Sequence, residues 1–133
     1  MTSADLMTSA VMYNGCYGGF EFSEEAIRLY NELSVCPLNA AISRTDPVMI
    51  QVVRELGERV NTPYSRILLD DIPLRFIDHY LIHEYDGNES VHIQYDQYAL
   101  QEIQNIMNNT ALSQDEKIKK TQTVLIENQV LRL

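Results

Sequence analysis

The feature that most constrains this chain is a β-hairpin signal in residues 76–95. Two runs rich in β-branched and aromatic residues flank Asp86-Gly87. Asp-Gly between alternating apolar residues is among the strongest local signals of a hairpin turn. The alternation indicates a loop of either residues 87–88 or residues 86–89. We therefore expect two antiparallel strands joined by a short turn.

The register of this hairpin can be predicted from its apolar residues. A slip of one residue would turn every side chain of a strand to the other face. Pairing Ile82 with Ile93, and Tyr80 with Tyr95, gathers the apolar side chains on one face. The opposite face then has mixed polarity and carries histidines from both strands.

The length and charge of the chain limit its class and its partners. A chain of 133 residues can bury a core, and we expect a single domain over residues 1–133 with residues 1–6 disordered. The composition, 45% hydrophobic and 22% charged, is typical of a soluble globular protein. A net charge of −9 disfavours nucleic acid as the main partner. Residues 76–116 carry eight Asp or Glu and no Lys or Arg, which indicates a solvated acidic flank or a docking surface for a basic partner.

Targeting signals and cysteine content predict the compartment. The N-terminus has no basic segment followed by an apolar run, so we expect a protein that is not secreted. No stretch approaches the ~20 apolar residues that span a bilayer. Cys16 and Cys36 are too few for a disulfide framework. The expected location is intracellular and cytoplasmic, with reduced thiols and no membrane association.

Capping residues predict where the helices begin. Ser23 precedes two glutamates of a first helical turn, and Asp46 followed by Pro47 is a clear start signal. Ser113 opens a capping box that Glu116 completes. Apolar residues at helical spacing follow each cap. The predicted helices cover residues 24–33, 47–57, 98–108 and 113–131.

Two further strands are predicted outside the hairpin, at residues 8–14 and 65–72. The second contains an unbroken run of Ile and Leu, which is typical of a strand buried on both faces, so we expect it to be central. The order β-α-α-β-β-β-α-α does not alternate regularly and favours an α+β fold. We expect about four mostly antiparallel strands, including the hairpin of residues 76–95, with four helices packed on the sheet.

A glycine-rich turn follows the first strand. Its glycines are Gly15, Gly18 and Gly19. Such a turn can bind phosphate through backbone N–H groups, but the spacing is neither the dinucleotide fingerprint nor a P-loop. Glu21, Glu24 and Glu25 would also repel a phosphate. The glycines are therefore candidates for ligand binding, against a structural turn in which Tyr17 and Phe20 pack over the sheet.

Cys16, within the same turn, is the candidate catalytic nucleophile. A nucleophilic cysteine needs a nearby base and an electropositive setting. No Lys or Arg lies close to Cys16 along the chain, although one of the three His could approach it in space. The alternative is a structural cysteine.

Arg44 lies two residues before the helix cap Asp46. A guanidinium at that place can bind an anion or the carboxylate of a partner, which makes Arg44 a further candidate for ligand binding. In the other interpretation Arg44 only ties a loop to the rest of the domain.

Two histidines of the hairpin are candidate metal ligands. His83 and His92 stand opposite each other in the expected register, close enough to share an ion. His79 lies roughly 13 Å from His83 along the strand, too far to join them. A third ligand would have to come from elsewhere in the fold. Without a metal, two facing imidazoles could respond to acidification through mutual repulsion.

The last predicted helix carries a broad apolar surface. Ile118 and Leu125 lie on one side of it, with Ile126 and Val130 beside them. Such a surface at a chain end either packs on the sheet or forms an assembly face. Docking of a protein partner, or self-association, through residues 113–131 is therefore one of two interpretations.

Several short segments together carry a resemblance to a family. They are Asn14-Gly15-Cys16-Tyr17-Gly18-Gly19-Phe20, Phe22-Ser23-Glu24-Glu25-Ala26, Arg44-Thr45-Asp46-Pro47, Glu55-Leu56-Gly57 and Glu84-Tyr85-Asp86-Gly87-Asn88-Glu89-Ser90-Val91. Over about residues 10–110 the chain resembles a family of small uncharacterised proteins encoded by large DNA viruses and some phages. The resemblance implies a virus-encoded accessory or virion-associated protein, and it brings no catalytic residues with it.

The function expected from these features is that of a non-catalytic structural or protein-interaction module, without a cofactor, that can form a homo-oligomer. An exposed apolar face on the last helix would favour this hypothesis. The alternative is a small enzyme or ligand-binding domain that uses Cys16 and the turn of residues 15–20. A pocket that brings Cys16 within hydrogen-bond reach of a His would favour the alternative.

Overall fold

The computed structural model describes residues 7–39 and 41–128 of the chain. Four strands and four helices follow one another in these residues as β-α-α-β-β-β-α-α. The strands are β1 (Thr8–Asn14), β2 (Ile67–Pro73), β3 (Tyr80–Tyr85) and β4 (Asn88–Ile93). The helices are α1 (Glu24–Leu33), α2 (Pro47–Leu56), α3 (Tyr95–Met107) and α4 (Gln114–Glu127). The predicted α+β class is confirmed.

The strands form two separate two-stranded sheets, each antiparallel: β1 with β2, and β3 with β4. The prediction that residues 65–72 form a central strand is wrong, because β2 pairs with β1 and with no other strand of the described part of the chain. It is β1 that is buried on both faces, since the neighbouring residues Val11 and Met12 are both fully buried. An apolar run therefore identified a buried sheet, but not which of its strands lies deepest.

One face of the β1–β2 sheet packs on α1 and α2. Ser23 caps α1 by accepting a hydrogen bond from the Ala26 N–H, and Asp46 caps α2 by accepting one from the Met49 N–H, as predicted. The amphipathic faces of both helices then meet the sheet. The buried residues of this main core are Ala10, Met12, Ala26, Tyr30, Met49, Ile50, Val52, Val53, Val60 and Ile67.

A second buried region forms where β2 leads into the hairpin and α3. A 3-10 turn, Leu74–Phe76, follows β2 and buries the Phe76 ring. The rings of Tyr95 and Tyr98 stand edge-on to Phe76, with centroids 5.1 and 4.8 Å away. These contacts anchor the first turn of α3, so Tyr95 belongs to that helix and not to the hairpin strand as predicted.

The hairpin is present, but its predicted register is wrong by two residues. Ile82 pairs with Val91 instead of Ile93, and the loop consists of Asp86 and Gly87 alone. Both loop residues have positive φ, 50° and 85°, as the favoured two-residue hairpin turn requires. A shift of two residues keeps every side chain on its face, so the apolar pattern could not distinguish the two registers.

Helix α4 packs chiefly on α3, not on the sheet. Ser113 caps it by accepting from the Glu116 N–H, as the capping box predicted. The Lys117 ammonium donates to the Met107 carbonyl, which satisfies the C-terminal end of α3. None of the described helices is both long and apolar enough to cross a membrane. Residues 1–6, and Val130 with the rest of the predicted helix end, lie outside the described residues.

Close backbone contacts join the glycine-rich turn to two other loops. A Cβ atom at Gly18 would overlap the Tyr64 carbonyl, and a Cβ atom at Gly87 would overlap the backbone of Gly18. At Gly19, in contrast, a Cβ atom would have no heavy atom within 4 Å. Glycine is thus required at Gly18 and Gly87 for close packing, and not at Gly19.

We expect Gly18→Ala to lower the free energy of unfolding by about 1–3 kcal/mol, because the Tyr64 backbone must move to admit the methyl group. The matched control, Gly19→Ala, should leave stability unchanged or raise it by up to about 1 kcal/mol. Urea denaturation followed by circular dichroism measures both. Equal stability of the two variants would contradict the close contact at Gly18.

Candidate functional site

The free edge of β1 is the point where the two sheets meet. The Met12 N–H donates to the Arg44 carbonyl at 2.8 Å, and the Asn14 N–H donates to Glu89 Oε1 at 2.8 Å. Within the described residues no strand pairs with this edge, and a loop carbonyl and a side-chain carboxylate take the place of ladder partners. The hairpin is thereby attached to β1 through Glu89.

Arg44 and Glu89 also bind each other directly. The Arg44 Nη1 and Nη2 atoms lie 2.6 and 3.0 Å from the two carboxylate oxygens of Glu89, which is a bidentate pair. The exposed fractions of the two side chains are only 24% and 9%. The guanidinium carbon stands 3.5 Å from the centre of the Phe20 ring. Four segments of the chain therefore meet at one largely desolvated ion pair.

The surroundings of this ion pair shift the pKa values of Glu89 and Tyr80. Burial raises the pKa of Glu89, but hydrogen bonds from Arg44 and the Asn14 N–H, with the Arg44 charge, outweigh it and leave that pKa below its ordinary 4.5. Burial raises the pKa of Tyr80 above its ordinary 10.0; the Arg44 charge opposes this rise and the Asp78 charge adds to it. At neutral pH the site therefore holds a carboxylate and a neutral phenol.

Asn14 completes the junction from the end of β1. Its side chain is fully buried, and its Nδ2 donates to the carbonyls of Cys16 and Gly87 at 2.8 and 2.7 Å. Its Oδ1 accepts from the Arg66 N–H at 2.7 Å. One amide thus holds the glycine-rich turn, the hairpin turn and the start of β2 together, with both donors and its acceptor in use.

The candidate ligand-binding residues of the sequence are occupied by the protein's own groups. Gly18 contacts Tyr64 and Gly87, Gly15 lies against the Leu68 side chain, and only Gly19 faces open space. The guanidinium of Arg44 binds Glu89, as the loop-tying interpretation describes. The expected packing of Tyr17 over the sheet is wrong, because 70% of that side chain is exposed.

The Cys16 thiol is held by two neutral acceptors. Its Sγ lies 3.4 Å from Asn14 Oδ1 and 3.7 Å from the Tyr64 carbonyl. In the described part of the chain no histidine hydrogen-bonds to this thiol, and neither acceptor is a base that could activate a nucleophile. Cys36 is exposed. This geometry supports a structural Cys16, and the catalytic role stays a prediction.

His83 and His92 meet, although not by the predicted pairing. His83 pairs with Ser90, and His92 with Leu81. The two imidazoles reach each other diagonally and stack at 4.1 Å with an angle of 21°. His92 Nε2 lies 2.8 Å from Ser90 Oγ. Within residues 7–39 and 41–128 no three His, Cys, Asp or Glu side chains are arranged to hold a metal ion.

A groove of about 400 Å³ lies between α3 and α4. It is lined by Glu102, Ile106, Lys119, Lys120, Thr123 and Val124. Its lining combines apolar side chains with charges of both signs. Such a surface suits contact with another protein better than it suits a small anionic or apolar ligand.

Comparisons with known proteins identify no relative from which the role of this site could be inferred. No family model, no curated protein and no solved structure matches the chain. The resemblance to small viral proteins stays a prediction from the sequence segments that carry it.

The roles of Glu89 and Asn14 were not predicted from the sequence. Glu89 lies on the same face of β4 as Val91 and Ile93, so it is a charged residue within an apolar alternation. Asn14 is the polar end of an apolar strand. A charge on an apolar face indicates a buried partner, but only the fold identifies Arg44 as that partner.

We expect Glu89→Gln to lower the free energy of unfolding by about 2–4 kcal/mol at neutral pH, because it leaves Arg44 partly buried without its counter-charge. The matched control is Glu25→Gln, which breaks an exposed pair with Arg59 and should cost less than about 1 kcal/mol. Chemical denaturation measures both. Equal losses would contradict a special role for the buried pair.

The effect of Glu89→Gln should depend on pH with a definite sign. The pKa of Glu89 is lowered in the folded protein, so its stabilisation is complete above the unfolded-state value near 4.5. It is lost as the pH falls through the lower folded-state pKa. The stability difference between wild type and Glu89→Gln should therefore narrow in acid, and a difference that widens there would contradict the assignment.

Proposed function

We propose that this protein is a non-catalytic interaction module that associates with a second copy of itself through the α3–α4 helix pair. The observation that carries the proposal is the poor burial of this pair. Between Gln114 and Glu127 no residue of α4 is buried, and Ala99 is the buried residue of α3. Helix α4 makes its main contacts with α3, and Ile118 and Ile126 stay largely exposed on it. A second copy of the protein can cover this apolar surface.

The exposed apolar residues have the spacing that helix packing requires. Leu100 and Met107 lie seven residues apart on α3, and both are about half-exposed. Ile118, also half-exposed, lies seven residues before Leu125 on α4. Residues seven apart project from the same side of a helix, so each helix presents one apolar stripe. Two such helix pairs together form a four-helix arrangement.

The charges of the two helices support pairing with an identical copy. Helix α3 carries Asp96 and Glu102 and no Lys or Arg. Lys119 and Lys120 of α4 line the groove between the two helices. In a two-fold dimer, every contact from α3 of one copy to α4 of the other occurs twice. Acidic groups of one copy can therefore meet lysines of its partner at both ends of the interface.

The viral origin of the protein and its lack of a catalytic activity stay predictions. A virus-encoded accessory or virion-associated role rests on the resemblance described above, and an interaction module is compatible with it. The alternative of a small enzyme built on Cys16 has less support, because the thiol lies among neutral acceptors.

We expect native mass spectrometry across a wide dilution series to detect a discrete dimer without added mass. The double variant Leu100→Gln, Ile118→Gln should raise the dissociation constant at least about tenfold, which corresponds to ~1.4 kcal/mol. Both side chains are half-exposed, so the fold should be retained, as circular dichroism will check.

The matched control is Val35→Gln, which removes a fully exposed apolar side chain in the segment after α1. It should leave the dimer unchanged. A wild-type protein that is monomeric at every concentration would overturn the proposal. So would a dimer that the double variant does not weaken.

A further inference from the structure

Three largely exposed tyrosines lie on loops that come close together in the fold. They are Tyr17 and Tyr64, each 70% exposed, and Tyr85, 72% exposed. Folded proteins rarely leave such large aromatic surface to water in one place without a binding role. Tyrosine is also enriched among the residues that dominate binding energies at interfaces. We name this set the tyrosine rim.

The close approach of three loops brings these tyrosines together. The Gly19 N–H donates to the Tyr64 carbonyl at 3.0 Å, and the backbone of Gly18 touches Gly87. Tyr17 is adjacent to Gly18, and Tyr85 lies two residues before Gly87. From these chain separations the three Cα atoms lie within roughly 15 Å of each other. The three rings are therefore attached to backbone positions that lie close together.

Hydrogen bonds hold the loops under the tyrosine rim in place. The buried Asn14 amide binds the carbonyls of Cys16 and Gly87, one in each of two converging loops. In the third loop, the Tyr64 N–H donates to Thr62 Oγ1. Aromatic side chains fixed on a preorganised backbone lose little conformational entropy on binding, which favours affinity.

The charges at the tyrosine rim are predominantly negative. Glu84 and Asp86 flank Tyr85 in the chain, and both are exposed. Glu21 reaches the third loop through Thr62 Oγ1 at 2.5 Å. Glu84 Oε1 accepts a hydrogen bond from the Gly87 N–H at 2.6 Å, which holds that carboxylate at the hairpin turn. Residues 15–21, 62–66 and 84–88 together carry these three carboxylates and one guanidinium, that of Arg66. Exposed tyrosine rings beside carboxylates attract cations that can stack on the ring and form an ion pair with the carboxylate at the same time.

We propose that the tyrosine rim, with Glu84 and Asp86, is a docking surface for an arginine-rich segment of another protein. A guanidinium can lie flat on a tyrosine ring and donate to a carboxylate at the same time, which a lysine ammonium does less well. This surface is separate in the chain from the α3–α4 pair. The inference therefore goes beyond the proposed self-association and does not depend on it.

The test is a titration of the 15N-labelled protein with a peptide of alternating arginine and glycine, followed by NMR. We expect saturable shift changes at residues 15–20, 62–66 and 84–88, and at least about tenfold weaker binding of the matched lysine–glycine peptide. Tyr17→Ala with Tyr85→Ala should weaken arginine binding at least tenfold. Because both side chains are exposed, the fold should remain intact, which a thermal melt will verify.

Charge variants separate specific docking from general attraction to an acidic protein. Asp86→Asn keeps a residue type that tolerates the positive φ of 50° and should weaken binding severalfold. The matched control Asp71→Asn removes an exposed carboxylate opposite Ala10, four residues along β1 from Asn14, and should change nothing.

Three results would overturn the inference. The first is an absence of shift changes. The second is equal binding of both peptides with changes spread along residues 76–116, which would indicate non-specific attraction. The third is binding of the neutral sugar maltotriose at the tyrosine rim in place of the peptide. None of these outcomes depends on dimer formation, because the Leu100→Gln, Ile118→Gln variant should bind the arginine peptide like the wild type.

Discussion

The bidentate pair of Arg44 and Glu89 at the free edge of β1 is the interaction on which the rest of the structure depends. Strand β1 is buried on both faces, yet one of its edges has no neighbouring strand among residues 7–39 and 41–128. The buried N–H groups of Met12 and Asn14 along that edge would cost free energy if they lacked acceptors. The Arg44 carbonyl and the Glu89 carboxylate supply them, and the charges of the two residues neutralise each other. The loop before α2 and the β3–β4 hairpin are thereby fixed on the main core.

This arrangement explains why the backbone of the glycine-rich turn is not available to a ligand. The hairpin that Glu89 attaches brings its own turn against Gly18, and the Asn14 amide binds both turns at once. Backbone groups that could have received a ligand are used within the protein. The same packing holds the loops that carry the exposed tyrosines of the tyrosine rim. The junction can therefore support a recognition surface without itself being a binding site.

Stability is distributed unevenly across this molecule. The core around Met12 and the Arg44–Glu89 pair are tightly packed and polar groups there are satisfied. Helix α4 has no buried residue within its own span and rests on α3. Regions with little burial open at lower free energy than the core and supply surfaces that bind partners. The proposed self-association surface lies in such a region, whereas the tyrosine rim consists of exposed side chains on loops that the Asn14 amide holds together.

The sequence by itself determined the features that depend on a residue and its near neighbours. The caps Ser23, Asp46 and Ser113, the Asp-Gly turn and the α+β order could be predicted because each reflects local backbone preference or side-chain periodicity. Only the tertiary structure decided the hairpin register, since a shift of two residues leaves the apolar pattern unchanged. It also decided the partner of Arg44, which lies 45 positions away in the chain. Contacts over such separations depend on how the loops close and on which polar groups burial leaves to be satisfied, and no local pattern records either.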